Sequence, residues 1–512
     1  MRPTWLTTLC LLLLTTFILF WPAQIHAASG NVPLESDIYR SLDLLTSRGL
    51  LRSHLSGTRP ITWAEVHRLI DEAKERIAAL ESDNLEIVPA VRDTVQDLEK
   101  QVYDRFTGST RVGTGPAYAA VHEPGVEIEY LEGDPSPIPA IKASQHALIY
   151  NNGGIDPDEG TTASLGVEVE GALEFLHFQL YPRLTTGEED REFIHRGSFR
   201  LGGLGGLELI IGKENLWWGQ GAHGGLYLTN NASPLPMVHL STPHPSVLPW
   251  IFKYLGPCRF EFFVSELEED RAVPEPYFVG MRSNIRPFYA LELGFTAMVL
   301  AGGEGRPDVS FGDFFDIFFG ENETVDDRSN KIAGLDFRLN LKGWQVYGEF
   351  GGEDEAGGLP SKMAGLVGVY YPRLTGSLDL RVEYADLAYT EEIAKVWYRH
   401  GVYTDGYTYE GRIMGHHVGG GGRDLFAEVT FGAGERGRGR VGVDLEQRGI
   451  DIQPTIERHS QVLLGWKGPL SLGGIDCTLD LNVAVDQVTN KDYISGEDAT
   501  NGYVSLGIKG EI

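Results

Sequence analysis

From about Thr107 onward, apolar and polar residues alternate one by one along many segments of the chain. Residues 335–342 and 475–486 show the pattern clearly, with apolar side chains on one face and polar side chains on the other. A period of two residues indicates a β-strand whose two faces meet different environments. The segments are about ten residues long and carry charges of both signs on one face, which is typical of transmembrane strands around a water-filled lumen. A soluble β-sandwich also alternates, but its strands and polar faces are shorter.

Residues 107–512 are therefore predicted to form a large antiparallel transmembrane β-barrel, and the chain is predicted to be mainly β. This length accommodates roughly 16 to 18 strands together with turns and some long loops. Closing the sheet pairs every backbone N–H and C=O group, as the hydrocarbon interior of a membrane requires. The sequence shows no repeat of fixed length, which argues against a propeller.

Residues 28–106 have helical spacing of apolar positions and are predicted to form a small periplasmic helical region. Thr62 and Glu65 have the spacing of a capping box at the start of a helix. Pro89 is suited to the first turn of another helix. Three amphipathic helices are expected, packed as a small bundle or as a cap on the larger β-structure.

Residues 1–27 have one positive charge, a Leu-rich apolar core and a small residue, Ala27, at the expected cleavage point. These features predict a cleaved signal peptide, and with the barrel they predict the outer membrane of a Gram-negative bacterium. The alternative, a membrane anchor, is disfavoured because the apolar core is short for a membrane span.

The formal net charge of −29 disfavours nucleic acid as a partner, because nucleic-acid binding needs a basic surface. Cys258 and Cys477 remain after removal of the predicted signal peptide. Two cysteines so far apart make no disulfide framework, and they either pair or serve as small apolar residues.

Two irregular stretches interrupt the alternation, at Gly212–Pro249 and at Asp386–Arg423. Both are rich in glycine and aromatic residues, and the first also contains five prolines, so both are predicted to be folded loops. Long loops in compact proteins are often functional. Trp217 and Trp218 offer flat apolar faces beside amide side chains, a combination suited to sugars. Alternatively, the Trp pair belongs to a membrane-interface girdle or packs the loop.

The two stretches also carry the motifs of a known family. Within Gly212–Pro236 the chain has Gly-x-x-x-x-Trp-Trp-Gly-x-Gly followed by Asn-Asn-Ala-x-Pro-x-Pro. The second stretch has Tyr-Thr-Asp-Gly-Tyr at 403–407 and Gly-Arg-Ile-Met-Gly-His at 411–416. These motifs resemble those of the capsule assembly Wzi family of outer-membrane β-barrels.

The resemblance implies a non-catalytic lectin that binds and retains capsular or extracellular polysaccharide at the cell surface. Outer-membrane lipid, lipopolysaccharide and the barrel assembly machinery are the other partners that this function implies. The predicted polysaccharide-binding residues come from both loops and are Trp217, Trp218, Gln220, His223, Asn230, Asn231, Trp397, Tyr403, Asp405, Tyr407, Arg412 and His416.

No catalytic or metal-binding arrangement is apparent in the sequence, so no enzyme activity, cofactor or metal is predicted. Adjacent histidines such as His416 and His417 would point to opposite faces of a strand and could not easily share a metal. Two alternatives remain open. One is a porin for small solutes, tethered to the cell wall by its helical region, in which residues 39–51 and 61–73 resemble an S-layer homology repeat. The other is an enzyme that acts on surface glycan.

Overall fold

The computed structural model of the chain describes residues 28–510, apart from several short segments. The segments outside the described part are 85–88, 108–109, 115–116, 188–190, 308, 310–328, 357–358, 376, 389–395 and 433–436. The predicted signal peptide, residues 1–27, also lies outside the described residues.

Three helices precede the barrel: α1 (Ile38–Ser47), α2 (Trp63–Ser82) and α3 (Pro89–Thr107). The capping residue predicted for α2 is confirmed, because Oγ1 of Thr62 accepts a hydrogen bond of 3.1 Å from the backbone N–H of Glu65. Pro89 is the first residue of α3, where an N–H would have no partner within the helix. The apolar faces of the helices share one core, which includes Leu42 and Val66. Among the described residues, no helix is both long enough and apolar enough to span a membrane.

Eighteen long antiparallel strands close into a barrel, as the alternation predicts. In chain order they are β1 (Ala117–Glu132), β2 (Gly160–Leu173), β3 (Leu176–Thr186), β4 (Arg191–Leu204), β5 (Leu207–Glu214), β6 (Leu235–Ser241), β7 (Pro257–Glu266), β8 (Tyr277–Phe288), β9 (Leu291–Ala301), β10 (Ser329–Leu341), β11 (Trp344–Ala356), β12 (Leu359–Thr375), β13 (Leu378–Asp386), β14 (Arg423–Gly432), β15 (Arg438–Arg448), β16 (Glu457–Leu472), β17 (Ile475–Thr489) and β18 (Asp498–Gly510). Closure occurs where β18 pairs with β1.

Shorter elements extend this sheet or lie within the loops. The short strands are Thr58–Arg59, Val112–Thr114, Ser136–Ile138, Ala143–Gln145, Trp217–Trp218, Ser246–Val247, Thr408–Tyr409 and Arg412–Ile413. Two short 3-10 helices occupy Trp250–Leu255 and Lys491–Tyr493.

The two faces of the barrel wall follow the alternation of the sequence. In β10, Leu335 is 62 % exposed and Leu341 is 50 % exposed on the outer face. Asp336 and Arg338, between them in sequence, are 2 % and 0 % exposed on the inner face. The predicted apolar exterior is therefore confirmed, but the inner face is covered by protein instead of lining an open channel.

The ends of the barrel differ in the length of their connections. At the short-turn end, five connections between neighbouring strands have only two residues, at 174–175, 205–206, 289–290, 342–343 and 473–474, and 242–256 is a longer connection at the same end. At the long-loop end, the connections include 133–159, 215–234, 267–276 and 387–422. The helices pack at the short-turn end, where the N–H of Gly343 donates to the carbonyl of Ser47 at 3.1 Å.

Chain segments enter the lumen from both ends and meet inside it. Residues 51–61, here called the N-terminal insert, enter from the short-turn end. Residues 215–234, the first plug loop, enter from the long-loop end. They join as a two-stranded antiparallel sheet in which Thr58 pairs with Trp218. The described residues of 387–422 form the second plug loop, which packs beside the first.

Candidate functional site

The tryptophan pair of the first plug loop lies in the interior of the barrel. Trp218 is completely buried, and its Nε1 donates a hydrogen bond of 2.7 Å to Oε2 of Glu261 on the wall. Its ring packs against Phe263, with ring centroids 5.2 Å apart. Nε1 of Trp217 donates to the carbonyl of Gly221 at 3.0 Å, which closes a turn within the loop. Trp218 therefore anchors the loop to the wall, and neither residue of the pair belongs to an outer aromatic girdle.

Carboxylates of the barrel wall accept hydrogen bonds from backbone N–H groups of the first plug loop, which have no partners in regular secondary structure. Glu349 accepts from the backbone N–H groups of Gly221 and Leu226, at 2.8 and 2.7 Å. Glu383 accepts from the N–H groups of Ala222 and His223, both at 2.9 Å. Buried N–H groups need such acceptors, since an unpaired one is costly. The inward-facing acidic residues thus determine where the loop sits.

Gln220 joins the first plug loop to charged groups of the wall. Its Nε2 donates to Oδ1 of Asp336 at 2.7 Å, and its Oε1 accepts from Nε of Arg338 at 2.8 Å. Nη2 of Arg338 also donates to the backbone carbonyl of Gln220 at 2.7 Å. Both ends of the amide and the main chain are therefore fixed.

The Asn pair joins three segments of the long-loop end. Nδ2 of Asn231 donates to Oε1 of Gln145 at 3.0 Å and to the carbonyl of Ile413 at 2.9 Å. The carbonyl of Asn230 accepts from the N–H of Gly153 at 2.7 Å. These bonds connect both plug loops to residues 133–159.

Aromatic residues of the second plug loop pack against each other and against the first loop. Tyr398 and Tyr407 stack with centroids 5.2 Å apart, and Trp397 contacts Tyr398 at 5.5 Å. The hydroxyl of Tyr398 donates to the carbonyl of Leu226 at 2.8 Å, which links the two loops. The hydroxyl of Tyr403 donates to the carbonyl of Gly302 on the loop after β9, at 3.1 Å.

Asp405 and Arg412 anchor the outer part of the second plug loop. Oδ2 of Asp405 accepts from the N–H of Ala272 at 2.6 Å. Nη2 of Arg412 donates to the carbonyl of Ile149 at 2.7 Å, and Nη1 forms an ion pair with Asp156. Both side chains are buried, so their charges are used to position neighbouring loops.

The structure brings the two predicted stretches together, but it buries every predicted residue. None of the twelve is more than 6 % exposed. A ring must be accessible before a sugar can stack on it, and these rings are buried. Direct binding of polysaccharide by the twelve residues therefore stays a prediction. The wall carboxylates that hold the loops were not among the predicted residues. Their signal was present, since Glu292, Glu349 and Glu383 occupy inward positions of the alternating strands.

The structure corrects two predictions about local geometry. His416 and His417 lie in a turn, not in a strand, and their rings stack with centroids 4.7 Å apart. Adjacent histidines therefore need not diverge here. The stretch Gly212–Pro249 is not one continuous loop, because its first three residues belong to β5 and residues 235–241 form β6. Cys258 and Cys477 are both buried and free, so they do not pair.

Burial also sets the charge of a histidine in the loop at 133–159. His146 is buried, and burial lowers its pKa to about 4 by disfavouring the charged imidazolium. Its ring is therefore neutral at pH 7, and it contributes no positive charge to the long-loop end.

The accessible polar surface of this end lies over the buried residues. The hairpin of Thr408–Tyr409 and Arg412–Ile413 exposes Glu410 at its tip. Thr404 is exposed nearby in sequence, and the exposed Lys142 reaches Asp405 with Nζ 3.7 Å from Oδ1. Lys142, Thr404 and Glu410 together are called the outer patch.

Several known proteins are similar to this chain in sequence or in fold. The chain is 29% identical over 357 residues to a Klebsiella pneumoniae protein described as an uncharacterized 55.8 kDa protein in the cps region, and the match covers 68% of this chain and 62% of that relative. The chain thus spans less than two thirds of that relative's length.

Among solved structures, Escherichia coli Wzi has a TM-score of 0.72 and 20% identity, with 94% of this chain and 99% of that chain covered. That protein is described as an outer-membrane, carbohydrate-binding β-barrel involved in group 1 capsule assembly. OprD of Pseudomonas aeruginosa has a TM-score of 0.42 at 10% identity, over 76% of this chain and 94% of that chain, which is only a weak likeness.

The family model for capsule assembly protein Wzi matches residues 133–502. This range includes both plug loops, strands β2 to β17 and the first part of β18. A match over most of the chain decides the family. The chain belongs to the capsule assembly protein Wzi family.

Proposed function

We propose that this protein is an outer-membrane lectin that binds capsular or extracellular polysaccharide and retains it at the cell surface without cleaving it. The observation that carries the proposal, beside family membership, is the occupied lumen. Side chains of the wall and of both plug loops form one buried core that includes Trp218, Tyr347 and Trp397. A barrel filled in this way is suited to present a fixed surface and poorly suited to pass solutes.

The polysaccharide would bind at the long-loop end. In outer-membrane barrels the short turns face the periplasm and the long loops face the outside. The helices at the short-turn end would then be periplasmic, and the outer patch would face the medium. Outer-membrane lipid and lipopolysaccharide would surround the wall, and the barrel assembly machinery would insert it after removal of the signal peptide.

The buried residues would act mainly as supports for the binding surface. Arg412 and Asp405 hold the hairpin and its neighbours in place from below. Hydroxyl, ammonium and carboxylate groups of the outer patch would donate to and accept from sugar hydroxyls. Each contact would be weak, but a polymer with many repeats rebinds at high local concentration, which makes retention strong.

The test is the partition of polysaccharide between washed cells and medium in a deletion strain. The strain is complemented with the wild type, with a Lys142→Ala, Thr404→Ala, Glu410→Ala variant of the outer patch, or with a control. The control carries Lys74→Ala, Ser82→Ala and Glu99→Ala, three exposed positions on the helices at the opposite end. Outer-membrane fractions confirm equal amounts of each protein.

We expect deletion to move polysaccharide into the medium with its total amount unchanged, and the wild type and the control to reverse this. The outer-patch variant should reverse it only partly. An unchanged partition on deletion would refute retention. Full reversal by the outer-patch variant would place the binding surface elsewhere.

Two further measurements separate the alternatives. The purified protein in planar bilayers should show little conductance, whereas steady open channels would favour a porin. Incubation with the strain's own polysaccharide should release no reducing ends, whereas their release would identify an enzyme.

A further inference from the structure

Four metal-binding side chains from four different elements meet inside the barrel. His223 comes from the first plug loop and His417 from the second, while Asp424 and Asp444 project from β14 and β15. In the register of these strands Asp424 pairs with Glu446, and Asp444 pairs with Phe426. The two aspartates are therefore diagonal neighbours on the same inward face, and both are buried. No short sequence motif contains this set.

The ligand atoms have the spacing of a four-coordinate site. Nε2 of His223 lies 2.9 Å from Oδ2 of Asp444 and 3.3 Å from Oδ2 of Asp424. Nε2 of His417 lies 3.1 Å from Oδ2 of Asp424. One atom from each residue can be chosen so that all four lie within 4.8 Å of one another. Tetrahedral zinc with bonds of about 2.0 Å to nitrogen and oxygen places its ligand atoms about 3.3 Å apart.

The hydrogen bonding of this cluster is incomplete among the described residues. His417 is completely buried, and neither its Nε2 nor Oδ2 of Asp424 makes a hydrogen bond, although the two atoms are close. His459 on β16 provides a contrast within the same barrel. Its Nδ1 bonds to Asp486 at 2.8 Å and its Nε2 to Glu457 at 2.9 Å, so both nitrogens are satisfied by carboxylates. The cluster of His417 and Asp424 has unsatisfied atoms that could ligate an ion, whereas both ring nitrogens of His459 are satisfied without one.

The charges of the cluster are also unbalanced when its histidines are neutral. Asp424, Asp444 and Glu446 carry three negative charges, and Arg448 supplies one positive charge through its bond to Glu446 at 2.6 Å. Two negative charges therefore remain in a buried place, where uncompensated charge is strongly disfavoured. One divalent cation would balance them, as would protonation of both imidazoles in the absence of an ion.

Aromatic rings enclose the cluster and fix its imidazoles. Phe426 stacks on His223 with centroids 3.8 Å apart, and Tyr150 stacks on His417 at 4.5 Å. Tyr150 also meets the edge of His223 at 5.0 Å. Such packing limits ring rotation and water access, which preorganises the donor atoms.

We propose that His223, His417, Asp424 and Asp444 bind one divalent transition-metal ion of the Zn²⁺ type. Imidazole nitrogens combined with carboxylate oxygens in a four-coordinate arrangement suit this class of ion. Because the ligands come from both plug loops and two wall strands, the ion joins the plug to the barrel. Four protein ligands in a closed site indicate a structural role.

The test uses the full chain, purified from outer membranes in detergent without chelator. Metal content is measured by mass spectrometry before and after dialysis against EDTA, and again after Zn²⁺ alone is added. A His223→Gln, His417→Gln variant removes both imidazoles, and His459→Gln serves as the control for loss of a buried histidine. Because the double variant could misfold, Co²⁺ is also added to the EDTA-treated wild type, and its visible spectrum reports the coordination number.

We expect about one equivalent of Zn²⁺ per wild-type chain, a midpoint of thermal unfolding that falls on chelation and recovers with Zn²⁺, and the intense Co²⁺ absorption of a four-coordinate site. The His459→Gln control should keep its metal, and the double variant should lose it. A wild type that binds neither Zn²⁺ nor Co²⁺ would overturn the proposal, as would a folded double variant with undiminished zinc.

Discussion

The outer face of the barrel wall and the lumen are built from the same strands but are stabilised in different ways. On the outer face, apolar side chains such as Phe199 and Leu335 are exposed and meet no specific protein partner. In the lumen, many charged side chains are buried and are matched to particular groups. The Arg282–Asp336 pair is one example, with Nη1 and Oδ2 2.8 Å apart and neither side chain exposed.

This difference separates two ways of stabilising a barrel. The outer face needs only apolar character, because lipid accepts any apolar shape. The lumen needs definite partners, since removing one member of a buried ion pair leaves an uncompensated charge. Buried pairs contribute little net stability compared with apolar packing, but they fix position. Here they determine where the N-terminal insert and the plug loops lie.

The largest effect should come from Glu292 on the lumen side of β9. Its carboxylate accepts from the N–H groups of Ser56 and Gly57, both at 2.9 Å, and from Nη2 of Arg286 at 3.0 Å. Glu292→Ala would leave these donors unpaired, and we expect a loss of roughly 3–5 kcal/mol of unfolding free energy. Urea unfolding monitored by circular dichroism measures the loss. The control is Asp476→Ala, an exposed carboxylate on β17, which should change it by less than about 0.5 kcal/mol.

The outer face should tolerate a change of shape but not a charge. Leu335→Arg places a cation against lipid and should cost roughly 2–4 kcal/mol if the residue lies near the bilayer midplane. Leu335→Ala at the same exposed position should cost less than about 1.5 kcal/mol, because no cavity forms. Both are measured by unfolding from lipid vesicles. Equal costs for the two variants would show that this face does not meet lipid.

The smallest effect concerns pH and the N-terminal insert. His54 is buried there, and burial lowers its pKa to about 4, from the ordinary value near 6.5. Between these two pH values the unfolded chain therefore binds a proton on His54 that the folded chain does not bind. The contribution of neutral His54 to the free energy of unfolding is fully present above pH 6.5 and is lost as the pH falls toward 4. At pH 5 the loss should be about 2 kcal/mol.

The measurement compares unfolding midpoints at pH 7 and pH 5 in the wild type and in His54→Gln. The variant should lose less stability on acidification than the wild type does. His67→Gln, at an exposed position on α2, is the matched control and should keep the wild-type response. An identical response of the wild type and His54→Gln would contradict the prediction.

The sequence by itself determined the barrel, the helices and the family. The period-two alternation is a local pattern, and a strand between lipid and a polar interior must show it. The Thr62 cap is equally local. The motifs around Trp217 and Arg412 were sufficient to indicate the family, because they are contiguous in the chain.

Only the tertiary structure decided what those motif residues contact. Trp218 meets Thr58, and His223 meets Asp444, across separations that no periodicity encodes. Loop aromatics and amides have the same composition whether they face a sugar or a barrel wall, so their burial could not be predicted from the sequence. Likewise, an inward carboxylate on a strand is recognisable by its alternation, but its partner depends on which loop enters the lumen. Those partners depend on closure of the barrel, which brings distant residues within hydrogen-bond distance.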